Sequence, residues 1–314
     1  MLSFQHLDVT LPVDKFNGYR GLHTAKTVLP PPSYSSPVAE VFEEIALWLL
    51  AETGSLMPLA LDLHGQSRAG LASWVPDFSA KPPIEQNYWR SRLSFFATYA
   101  LPPVLGRAFE RRLPGQLCLY GIEVDRISSI AAHAFSSTKA AKDHMTHLEE
   151  WFTFATGRCC RSSESHGRQF DDDVFCATML AGCVKDLPPA SSARLASAED
   201  YVQWQHDVQT MQHSTAAGSF HSLLMESHMA AVLGRALFKT KRGTFGIGPL
   251  SIRPGDCLWI FEGGNAPFIT RQESTSLSGE KQYTLVGHCY HHTSMSSAHI
   301  SSNFDGQRCA CLLI

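Results

Sequence analysis

From Phe238 to Val286, short apolar runs alternate with turns built on glycine and proline, and this punctuation limits the fold more than any other feature of the chain. Phe238-Lys239-Thr240 and Thr244-Phe245-Gly246-Ile247-Gly248 flank the turn Lys241-Arg242-Gly243, a hairpin pattern. Arg253-Pro254-Gly255-Asp256 places Pro and Gly as a tight turn needs them, and Cys257-Leu258-Trp259-Ile260-Phe261 follows as a buried strand. Gly263-Gly264-Asn265 turns again, Pro267-Phe268-Ile269-Thr270-Arg271 returns, and Tyr283-Thr284-Leu285-Val286-Gly287 closes the set. Such a series predicts a small antiparallel barrel or curled sheet over 238–292.

The chain before it is mixed. Ser36 suits an N-cap and Pro37 a first helical position, and Val38, Val41, Phe42, Ile45, Ala46 and Leu49 follow at helical spacing until Gly54. Residues 56–61 read as a short strand. Trp74 and Phe78 anchor the extended run Ser73-Trp74-Val75-Pro76-Asp77-Phe78, in which proline excludes a central strand. Residues 113–130 read as a hairpin of short strands turning at Pro114-Gly115, and 31–135 as one α/β segment. Residues 136–237 read as mainly helical, best at 148–154, 174–184, 201–211 and 220–237, with an exposed linker near 186–198 around Pro188-Pro189. Residues 293–314 read as a disordered tail. The fold class is therefore α+β: a helical middle region with short strands and a C-terminal antiparallel barrel or curled sheet.

Composition narrows the function classes. A formal net charge of −3 leaves no electrostatic footprint for nucleic acid, and the basic clusters Arg107, Arg111, Arg112 and Lys239, Lys241, Arg242 read as solvated loop charge. Nine cysteines, an odd number at irregular spacing with a vicinal pair at Cys159-Cys160, fit reduced thiols in a cytoplasmic protein better than a disulfide framework. No signal segment or membrane-spanning run is read from the sequence.

Candidate chemistry weighs lightly. Gly243, Gly246 and Gly248 follow a GxxGxG spacing with no helix after it, so they read as turn and bulge glycines and not as a phosphate cradle. His144 and His147, with Glu149 and Glu150 nearby, could supply two zinc ligands, but no third has diagnostic spacing, and they read as a solvated helix face. His288, Cys289, His291 and His292 offer ligands on a strand end. Asp171, Asp172 and Asp173 suit a helix start. Trp74 and Trp259 read as core. No catalytic, cofactor-binding or metal-binding set is assigned. Cys311-Leu312-Leu313-Ile314 has the form of a prenylation box, making Cys311 a lipidation candidate; Cys309 could carry a second chain. A membrane would be a partner only through that lipid.

Taken in order, these landmarks resemble the fungal heterokaryon-incompatibility (HET) proteins. Arg235, Phe238, Thr240, Gly243, Gly246, Gly248-Pro249, Pro254-Gly255-Asp256, Gly263-Gly264, Pro267-Phe268, Arg271 and Val286-Gly287-His288-Cys289-Tyr290 match the family's terminal block. Trp74-Val75-Pro76-Asp77-Phe78 is similar to its Trp-Val-Pro-Asp-Trp motif. Asp14-Lys15-Phe16 and Gly21-Leu22 resemble the end of its signature domain, so 1–30 reads as a remnant of that domain. The signature motifs themselves are missing, and 293–314 departs from the family's ending. The resemblance implies a non-catalytic regulatory or interaction region, truncated, acting in non-self recognition and programmed cell death through an unknown protein partner. The alternatives it implies are a fragment of an effector whose lost Toll-receptor-like domain acts on a nicotinamide nucleotide, and a gene remnant without function.

Overall fold

The computed structural model describes residues 11–18, 28–60, 70–80, 89, 108–135, 141–159, 170, 172–185, 193–213, 222–275, 279–295 and 308–314. Expectations that fall on Arg107, Asp171, Cys160, Gly21-Leu22 and most of the linker at 186–192 lie outside the described residues.

A short turn of helix, α1 (Asp14–Asn17), sets Phe16 edge-on to Trp48 at 5.9 Å. Trp48 belongs to α2 (Val38–Thr53), which starts one residue later than its sequence suggests because Pro37 takes the cap with extended ψ. Gly54 ends it in the left-handed region at φ 61°, its N–H returning to the Leu50 carbonyl. The expected strand at 56–61 is instead a 3-10 turn, Met57–Ala60. Pro58 at its centre brings no N–H to a ladder, and the Leu59 N–H closes locally on the Leu56 carbonyl. Trp74 and Phe78 are buried, as their size requires.

The expected hairpin at 113–130 is one long strand. β1 (Phe109–Arg111) folds back through the Pro114-Gly115 turn onto β2 (Leu117–Ile130). β2 then serves three more neighbours. Its first half pairs antiparallel with β11 (Cys309–Leu313), its middle with β7 (Cys257–Phe261), and its end with β5 (Arg235–Thr240). Register shifts at Glu123/Asp125 and Ile127/Ser129 let one strand bend between these partners. β7 continues to β8 (Phe268–Thr275), β8 to β9 (Lys281–His288), and β9 runs parallel to β11. The path β2–β7–β8–β9–β11–β2 thus closes on itself. From β5 a wing extends through β6 (Phe245–Pro249) to β10 (Tyr290–His291).

Two expectations about boundaries are corrected here. The β unit is not confined to 238–292, because staves come from both sides of it in sequence. The segment 293–314, read as a disordered tail, contains a strand, Cys309–Leu313, whose last three residues are buried. An apolar run of that length cannot remain in water when two open strand edges stand beside it.

Every residue of β7 is buried, and alternation divides them between two cores. Cys257, Trp259 and Phe261 join α2, Trp74 and the start of β2. Leu258 and Ile260 pack with Ala236 and Phe238 of the wing. The wing's other face, Leu237 and Ile247, carries a helical layer. That layer holds α3 (Ala141–Thr156), α4 (Asp173–Met179), α5 (Ala198–His213) and α6 (Leu223–Val232). A two-stranded ribbon, β3 (Cys183–Lys185) and β4 (Ala193–Leu195), interrupts the helices where a longer helix and a linker were expected. Gly182 and Ala181, both at positive φ, make that interruption. The α+β class with a curled sheet is the observed one.

Candidate functional site

The landmark residues of the β region are consumed by internal locks. The Asp256 carboxylate, 2% exposed, accepts from Arg271 Nε and Nη2, both at 2.9 Å, and from the Arg253 backbone N–H at 2.7 Å. The same turn exchanges backbone bonds with Ile127, so it clasps β2 at its bend. Arg235 is buried at 1% exposure. It donates through Nη1 to the His288 carbonyl at 3.0 Å and through Nη2 to His288 Nε2 at 2.9 Å. Arginine can only donate, so His288 Nε2 is the acceptor and its proton sits on Nδ1. The Trp89 ring lies 4.3 Å from the Arg235 guanidinium carbon, a cation–π contact.

The three glycines serve geometry. Gly243 occupies its turn at φ 84°. Gly246 lies where β6 meets β10: a Cβ there would sit 2.3 Å from the Tyr290 carbonyl oxygen. At Gly248 it would sit 2.9 Å from Ile269 Cδ1. Gly246→Val is therefore expected to destabilise the protein by about 3 kcal/mol or more, since backbone is the obstacle and cannot step aside. A urea midpoint within error of wild type would contradict this.

The other candidates disperse or converge in unforeseen ways. His288, Cys289, His291 and His292 find four separate environments. Cys289 Sγ points at the Pro267 carbonyl, His291 joins Thr244 and Ser294, and His292 meets the Tyr290 hydroxyl. His144 and His147, neighbours on α3, face different partners. His144 Nε2 meets His228 Nε2 at 3.0 Å, and His228 Nδ1 donates to the Met179 carbonyl at 3.0 Å. This leaves His228 Nε2 as acceptor and makes His144 the donor. His144 and His147 are both buried, where the expectation was a solvated face. His147 instead stacks on His133 at 5.2 Å, and His133 Nδ1 lies 2.8 Å from Glu150 Oε2. The ligand atoms of His133, His147 and Glu150 fall within 4.8 Å of one another, the group of this kind found among the described residues. His133 has no motif around it in the sequence, so only the half-pattern His147-x-x-Glu150 could have pointed here.

Burial, helped by the nearby His147, lowers the His144 pKa from 6.5 to about 4. The unfolded chain takes up this proton first. Stability is therefore expected to fall as pH drops from about 6.5 towards about 4, by on the order of 3 kcal/mol from this group. His144→Gln should flatten that part of a stability–pH curve; an unchanged slope would count against it.

Cys311, the lipidation candidate, is fully buried in β11, and burial pushes its thiol pKa up, with Cys257 and Cys118 adding to the rise. Lipid transfer there would require β11 to leave the sheet. Cys309 on the same strand is exposed. Asp172 caps α4 by accepting from the Phe175 N–H at 2.9 Å. Arg111 pairs with Glu43 and Glu44 of α2, at 2.9 and 2.7 Å. Trp74 and Trp259 are core. Among the described residues no helix is long and apolar enough to cross a membrane.

Residues 189–302 match the family model of the Het-6 beta-barrel domain, a domain found in fungal heterokaryon incompatibility proteins. The match spans β4 to β10, while β1, β2 and β11, which complete the sheet, lie outside it. Comparison with curated proteins and with solved structures gives no match.

Proposed function

We propose that this chain, which carries a Het-6 beta-barrel domain, is an interaction or regulatory module in fungal non-self recognition and in the cell death that follows incompatible fusion. The observation behind this reading is the fate of the landmark residues. Asp256, Arg271 and Arg235 are spent on holding strands together, and Gly246 and Gly248 on letting strands meet. Residues used in this way build a rigid surface for a partner and leave little for substrate chemistry. A protein partner in the cytoplasm suits the net charge of −3 better than nucleic acid does.

The test is expression in a fungal host. The chain alone should leave growth unchanged, and should alter the growth arrest caused by a complete incompatibility protein expressed with it. Gly246→Val, which breaks the sheet, should abolish that effect. Arrest caused by the chain alone would overturn the reading in favour of an effector.

A further inference from the structure

We propose that His133, His147 and Glu150 form a binding site for a divalent transition-metal ion, with zinc the best fit. Two imidazoles and one carboxylate are a donor set of borderline softness, and three protein ligands leave a fourth position for water. His147 and Glu150 stand three apart on α3, so one helical face presents both. His133 arrives from the segment after β2, its carbonyl held by the Trp151 Nε1 donor at 2.8 Å. The site has a fixed side and an open side. His147 is 7% exposed and packs edge-on to Phe135, whereas the side chains of His133 and Glu150 are 52% and 45% exposed. The His133 and His147 rings lie within 18° of parallel, so His133 must turn for both nitrogens to meet one ion, and its exposure allows that turn. The ion would take the place of the direct contact between His133 Nδ1 and Glu150 Oε2. It would staple the helical layer to the end of β2.

Zinc chloride titrated into the full chain by calorimetry should bind, and this binding should weaken by at least about 10-fold in His133→Ala and in Glu150→Gln. Saturating zinc should raise the melting temperature of wild type and not of the double variant. Both substituted side chains are half-exposed, so the metal-free variants should melt like wild type, and the exposed His206→Ala should bind like wild type. Cobalt bound at this site should show visible ligand-field bands without a thiolate charge-transfer band, which separates it from the nine cysteines. Unchanged affinity in the double variant, a thiolate band as the sole signal, or no binding would each overturn the assignment.

Discussion

A chain ended at Arg308 is expected to lose its cooperative fold. The six residues removed include Cys311, Leu312 and Leu313, which are 0%, 4% and 0% exposed. They form the stave that joins β2 to β9 and closes the ring. The Ile314 N–H donates to the Tyr283 carbonyl at 2.9 Å, and its carbonyl accepts from the Ser73 N–H at 3.0 Å and from the Ser73 hydroxyl. Burying two leucines and a cysteine contributes roughly 5 kcal/mol, before the newly opened edges of β2 and β9 are counted. That is comparable to the whole stability of an ordinary domain, about 5–15 kcal/mol. Thermal melts followed by circular dichroism, with size-exclusion chromatography, would show loss of the transition and aggregation. A truncated chain melting within a few degrees of wild type would mean that the ring is held without its last strand.

Asp256→Ala and Arg271→Ala should each destabilise the protein by about 3–5 kcal/mol in denaturant unfolding. Each leaves its partner's charge, largely buried, without its counter-ion: the Arg271 side chain is 23% exposed and that of Asp256 2%. The double variant should lose well under the sum, because the second substitution removes the charge that the first stranded. Asp256→Asn should be milder than Asp256→Ala, since an amide oxygen can still accept from the Arg253 N–H. Losses below about 1 kcal/mol, or strict additivity, would show that this pair contributes little despite its geometry.

Local grammar carried the fold a long way. The turns at Gly115, Gly243 and Gly255 sit at the positive φ that their sequences announce, and α2 ends at Gly54 for the same reason. Trp74 and Phe78 could be placed in the core by size alone. The Met57–Ala60 turn went unread because an apolar run of six suits a strand or a tight helix equally, and Pro58 decides between them only through the missing N–H. The candidate metal site was half legible. His147 and Glu150 share a helix face by spacing, but His133 precedes them by more than three helical turns' worth of chain and reaches them through a fold that no local pattern encodes.

Turn chemistry, strand alternation and helix caps act over a few residues, so the amino-acid order alone placed the glycine turns at Gly115, Gly243 and Gly255, the end of α2 and the buried Trp74, Phe78 and Trp259, while Met57–Ala60 and Cys183–Lys185 took forms that it did not announce. Pairing partners are another matter. Leu119 meets Cys311 across 192 residues, and Gly121 meets Phe261 across 140. Any apolar five-residue run could serve as such a partner, and backbone hydrogen bonds carry no address. Closure of the ring by the last strand was therefore decided by the packed whole, in which the β2 and β9 edges leave room for one strand between them and Cys309–Leu313 pairs with both.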